Sequence, residues 1–312
     1  MRHLLTWLLL AGSAFAQTPH HLFVVNKAAD SLSVVNTASL TVEHTLAVGT
    51  NPHEVAIAPD GGKAYVVNAG GNSISVVDPG TYAETKTITT PDFSFPHGVV
   101  FTPDSRYALV TSERAGKIVL IDAVADAVVR SIDTDQGGTH LAAIDKAGAW
   151  AYFSNRESNT ISFMDLDDYR IVANVRVGQG AEGFALSPDE REIWVSDRSA
   201  NTVSVIDVPS REVVATLPIG ERPNRVAFTP DGNHVVIPVA SGEVSVFDRA
   251  TRQVVTKLRV GGSPGGIVAS PDGRRLFVAS AETNSVHVID AETWTVTGQI
   301  AVGQGPDGLS IR

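Results

Sequence analysis

The chain predicts an all-β fold, a seven-bladed β-propeller of four-stranded antiparallel blades, on three observations. One phrase recurs: "VGTNPHEVAIAPDGGKAYVVN" returns as "TPDFSFPHGVVFTPDSRYALVTS", "IGERPNRVAFTPDGNHVVIPVA" and "VGGSPGGIVASPDGRRLFVAS". The Asp or Asn closing each "SVID"-like run falls at Asn36, Asp78, Asp122, Asp165, Asp207, Asp248 and Asp290, in steps of 42, 44, 43, 42, 41 and 42. The runs are short, rich in Val and Ile, and free of helical periodicity. A period near forty holding four strands is the mark of a propeller blade.

Each copy justifies its four strands in turn. "HEVAIAPDG" is a strand entering a tight turn, because Pro-Asp-Gly suits a hairpin. "AYVVN", "SISVVD" and "ETKTITT" follow, separated by polar loops. The turn aspartates Asp60, Asp104, Asp189, Asp231 and Asp272 read as structural, as do Gly61, Gly232 and Gly273, placed for positive φ. One blade cannot bury both faces alone, so blades must stack and the ring must close. The early "HLFVVN" matches a second strand and the C-terminal "GPDGLSIR" a first strand, so the last strand is expected to complete the N-terminal blade. Such a clasp removes a frayed edge.

The first residues read as a secretory signal peptide over 1–16: Arg2 and His3, then "LLTWLLLAGSAFA" ending Ala14-Phe15-Ala16. The apolar run is too short to remain as a membrane span. Residues 17–312 then form a single propeller domain in a periplasmic or secreted protein. No cysteine exists, which excludes disulfides, a lipid anchor and covalent haem. The net charge of −10, without a basic block, argues against nucleic acid or membrane insertion. A monomer is expected.

On "AYVVNAGGNSISVVD", "IWVSDRSANTVSVIDVPSREVVATLPIG" and "LFVASAETNSVHVID", the chain resembles the YVTN family of seven-bladed propellers over essentially its whole mature length. The resemblance implies an exported or surface protein. Some relatives on the same architecture are lactonases or lyases. Quinone-dependent dehydrogenases, which often accompany the family, carry tryptophan-rich docking repeats. Here Trp150, Trp194 and Trp294 do not recur at the blade period.

Departures from the repeat locate the candidate site. At the start of each innermost strand the residues are His53, His97, His140, Glu182, Asn224, Gly265 and Asp307. Equivalent positions of a closed repeat form a circle at one mouth of the central channel. Three imidazoles and a carboxylate (His53, His97, His140, Glu182) are the candidate ligands of a divalent transition metal. Glu113, Arg156 and Arg198, after second strands on the same face, and Arg225 are candidates to bind a small-molecule ligand. Strand parity also allows the histidines to point between blades, and a wet channel mouth can hold polar residues that bind only water. With no G-x-S-x-G elbow, H-E-x-x-H or phosphate loop, the reading is a non-catalytic scaffold for a small molecule or periplasmic protein. The alternative is a metal-assisted hydrolase, lactonase or lyase built on the histidine ring.

Overall fold

The computed structural model describes residues 20–312; the signal peptide expected at 1–16 lies outside the described residues. Seven four-stranded antiparallel sheets follow one another, and every described regular element is a strand. Blade 1 joins Pro306–Ile311 to His21–Asn26, Ser31–Asn36 and Thr41–Ala47, so the C-terminal strand closes the ring. Leu22 pairs with Ile311, and backbone bonds of 3.1 and 2.9 Å between His21 and Arg312 finish the clasp. The innermost strands of blades 2 to 7 begin at Pro52, Pro96, Thr139, Ala181, Ala227 and Pro264.

The two middle strands of each blade are buried on both faces, which is why "FVVN" and "SVVD" run apolar instead of alternating. The seven blade-to-blade interfaces each hold a hydrophobic cluster. Phe23, Val25 and Leu32 of blade 1 pack on Val55 and Val66 of blade 2, for example, and Phe277 and Val286 of blade 7 pack on Leu22 and Val24 of blade 1. Burying one such Phe or Leu side chain contributes about 1.5–3 kcal/mol. The apolar core is therefore distributed as wedges between vanes, and the axis is left to polar groups.

The turn aspartates act as anticipated. Thr102, Ser187, Thr229 and Ser270 each donate a 2.6 Å hydroxyl bond to Asp104, Asp189, Asp231 and Asp272. The turn does require positive φ, at +74° in Gly61 and also at +61° in Ser105 and +60° in Glu190, where no glycine stands.

Two features shape the axis. In blades 1 to 5 and 7 the pairing of first and second strands slips beside the circle position, between Pro96 and Val99 or between Thr139 and Ala142 for example. A bulge re-aims the side chains it carries, so simple strand parity does not decide where the histidines point. In blade 6 the innermost strand shrinks to Ala227–Phe228. Its partner strand contains Pro238, which accepts from the Asn224 N–H at 2.9 Å but has no N–H to return. The freed segment carries Asn224 and Arg225 at the axis.

Candidate functional site

The bulged strand starts bring His53, His97 and His140 side by side. Ring centroids are 4.6 Å apart for His53 and His97, and 3.8 Å for His97 and His140. His97 and His140 are buried, at 3% and 1% exposure. His53 Nε2 lies 3.0 Å from Asn51 Oδ1, and its buried Nδ1 lies 3.3 Å from Asp307 Oδ2 without a hydrogen bond. Asp307 also accepts from Lys27 Nζ at 3.2 Å. Phe95 packs edge-on to His53, and the Arg114 guanidinium carbon lies 4.3 Å from the Phe95 ring centre.

Glu113 and Glu182 flank His140. Its Nδ1 lies 2.9 Å from Glu113 Oε2, and its Nε2 lies 3.7 Å from Glu182 Oε1 with no hydrogen-bond partner. Arg156 spans both carboxylates, with Nη1 3.0 Å from Glu113 Oε1 and Nε 2.7 Å from Glu182 Oε2. Arg198 and Arg225 stand 3.8 and 3.9 Å from Glu182 Oε1. Arg198 Nη1 and His97 Nδ1 are buried without a hydrogen-bond partner.

Arg225 is otherwise engaged across the axis. Its Nε donates to Glu54 Oε1 at 3.0 Å, and its Nη2 contacts the same oxygen. Glu54 belongs to blade 2 and Arg225 to blade 6, which are not neighbours, so this ion pair bridges the bore. Sequence reading missed Glu54. The signal was available: the equivalent residue in four other blades is Gly98, Gly183, Gly266 or Gly308. A Cβ on Gly98 would lie 2.7 Å from the His140 carbonyl oxygen, so these glycines let adjacent innermost strands pack backbone to backbone. A charge in that column is an exception that needs a partner.

Electrostatics follow burial. Desolvation pulls the His53 imidazole down to about 4, against the pull of Asp307, and holds His97 and His140 well below the usual histidine range. Burial alone would raise Glu182; His140, Arg156, Arg225 and Arg198 outweigh it and hold it below the usual carboxylate range. Because burial keeps His140 neutral, the guanidiniums do this work. Burial pushes the Glu54 carboxyl up against the pull of Arg225. The site is thus a set of enclosed, neutral imidazoles ringed by paired charges.

All eight residues singled out in the sequence lie at this mouth, but in two groups. A ring nitrogen each from His97 and His140 and an oxygen of Glu113 lie within 4.8 Å of one another. His53 is turned to Asn51 and Asp307, and Glu182 is enclosed by arginines. On the opposite face, where the Pro-Asp-Gly turns lie, a cleft of about 470 Å³ opens between blades 5 and 6. Its Arg249 is committed to Asp189 and Glu192 at 2.8 and 2.9 Å, and Arg252 to Glu192 at 3.2 Å. The cleft offers volume; the mouth offers buried nitrogens without hydrogen-bond partners on His53, His97, His140 and Arg198.

Solved structures resemble the chain in fold. A functionally unknown protein from Desulfotomaculum acetoxidans DSM 771 is 15% identical with a TM-score of 0.81, covering 93% of this chain and 98% of that one. Kuenenia stuttgartiensis hydrazine synthase is 19% identical at a TM-score of 0.76, covering 84% and 90%. Dihydro-heme d1 dehydrogenase NirN in complex with DHE is 14% identical at 0.71, covering 93% and 74%. No curated protein matches the chain. A YNCE-like β-propeller family model matches residues 168–270. The model described as lactonase, 7-bladed β-propeller matches residues 25–209, more than half of the sequence, and the chain belongs to that family.

Proposed function

We propose that the protein is an exported, YVTN-type propeller whose histidine-lined mouth binds a small anionic molecule. The observation that carries the reading is the arginine pair at the rim. Arg198 keeps a buried Nη1 without a hydrogen-bond partner, and Arg156 beside it is partly open to solvent. A carboxylate or phosphate answers both, since guanidinium offers paired N–H donors to planar oxyanions. The neutral histidines below add no competing charge. Rigid blades hold the groups in place before a ligand arrives, which limits the entropy lost on binding. Isothermal titration with malonate and with inorganic phosphate tests this. Arg156→Ala and Arg198→Ala are each expected to weaken binding roughly tenfold or more, the worth of one charge-assisted hydrogen bond. Unchanged affinity in both variants would contradict the reading.

The apolar leader ending Ala14-Phe15-Ala16 supports export to the periplasm or beyond. N-terminal sequencing of protein from the host's periplasmic and culture fractions tests it, with Gln17 expected first.

A second reading is lactone hydrolysis at the same mouth, favoured by family membership and by His140. An imidazole held at Nδ1 by Glu113, with Nε2 free of partners, is the arrangement of a general base. Turnover of a lactone that disappears in His140→Ala would favour catalysis over binding alone.

A further inference from the structure

We propose that His97, His140 and Glu113 form a binding site for one divalent transition-metal ion. The donor set is two imidazole nitrogens and one carboxylate oxygen, which suits zinc, cobalt or copper better than calcium or magnesium. The three ligand atoms already lie within 4.8 Å of one another. Bonds of about 2.0–2.2 Å to one ion need mutual separations of roughly 3–3.5 Å, so closure demands side-chain movements of the order of 1 Å. A second observation points to an occupant: His97 Nδ1 is buried without a hydrogen-bond partner on a side chain more than nine-tenths enclosed, while His140 Nδ1 and Glu113 Oε2 already lie 2.9 Å apart in a contact that an ion between them would replace.

This set differs from the four residues expected from sequence. His53 spends Nε2 on Asn51, its unpaired Nδ1 faces Asp307 at 3.3 Å, and it lies outside the 4.8 Å cluster. Glu182 is the counter-ion of Arg156, with Arg198 and Arg225 close to its other oxygen. Three protein donors would leave a four-coordinate ion one position for water or ligand, and Arg156 stands 3.0 Å from the other oxygen of Glu113.

The test uses the full chain without an affinity-histidine tag, dialysed free of metal, then titrated with Zn²⁺ or Co²⁺ alone. One ion per chain is expected, with visible d–d bands for Co²⁺. Glu113→Gln and His97→Ala are each expected to weaken binding roughly 10–100-fold or more, and His53→Ala to leave it within a few-fold. Should His97→Ala fail to fold, imidazole NMR of the unaltered protein decides: Zn²⁺ must shift the His97 and His140 resonances and spare those of His53. No retained ion in the wild type, or binding indifferent to Glu113→Gln with no shift at His97 and His140, overturns the proposal. Anion binding is measured on the metal-free protein, so the two readings fail separately.

Discussion

Asp197→Asn should make the protein more stable at neutral pH, and the repeat explains why. At the end of the second strand, blades 1, 2 and 4 carry Asn26, Asn68 and Asn155. Each donates Nδ2 to two hydroxyls across the hairpin: Asn26 to Ser31 and Ser33 at 3.1 and 2.9 Å, and Asn155 to Thr160 and Ser162 at 3.0 and 2.8 Å. Blade 5 has Asp197, which accepts from Thr202 and Ser204 at 2.9 and 2.7 Å. Its other oxygen is buried and has no hydrogen-bond partner. Burial raises this carboxyl from 3.8 to about 6, against the pull of those hydroxyls and the Gly178 N–H. With the folded value above the unfolded one, the native state holds the proton more tightly. The associated stability is complete below the unfolded pKa and is lost as pH rises through about 6. About two pH units at 1.36 kcal/mol each give a penalty of about 3 kcal/mol at pH 8. Asparagine removes the charge, and the hydroxyls can reverse direction as they do in the other blades. The expected gain at pH 8 is about 1–3 kcal/mol, worth roughly 2–4 °C in Tm per kcal/mol, shrinking toward zero near pH 4. Denaturant unfolding of both proteins at pH 4, 6 and 8 measures it. A variant less stable than wild type at pH 8, or a difference that does not vary with pH, would refute the reasoning.

Other outcomes follow from the same geometry. Glu54→Gln leaves the Arg225 charge buried without its close partner and should cost about 3 kcal/mol in equilibrium unfolding; a loss under about 1 kcal/mol would show that Glu182 and Asp307 suffice. The His53 C2 proton should titrate in NMR with a midpoint near pH 4, since burial lowers it. Stability linked to His53 is then complete above the unfolded value of about 6.5 and is lost as pH falls toward 4; a midpoint between 6 and 7 would contradict this. Gly98→Ala drives a Cβ to 2.8 Å from Leu141 Cα and should destabilise by about 2 kcal/mol or more, visible as a fall in Tm; an unchanged Tm would mean the innermost strands have slack.

The ring was legible because the "SVID" register repeats seven times and the two chain ends match complementary strands of one blade. Turn chemistry was equally plain, as the Asp60 and Asp231 turns show. Side-chain direction at the axis was not legible. His97 and His140 sit where strand pairing slips, and period-two alternation loses its meaning inside a bulge. The circle of first-strand residues gave the neighbourhood but not the contacts within it. His53 pairs with Asp307 across the closure, while Glu113 approaches His140 from a loop. Glu54 and Asp197 were readable in principle, each being a charge in a column of Gly or Asn. Pro238 was visible too, and its missing N–H accounts for the shortened strand that sends Arg225 into the bore.

The proposed ligand site is the axial mouth rather than the cleft around Arg249. Residue-resolved NMR of the labelled full chain, titrated with malonate and phosphate, tests it most directly. Shifts concentrated at Glu113, Arg156, Arg198 and the imidazoles of His97 and His140 are predicted. Shifts centred on Asp189, Glu192 and Arg249, with the mouth silent, would contradict the account.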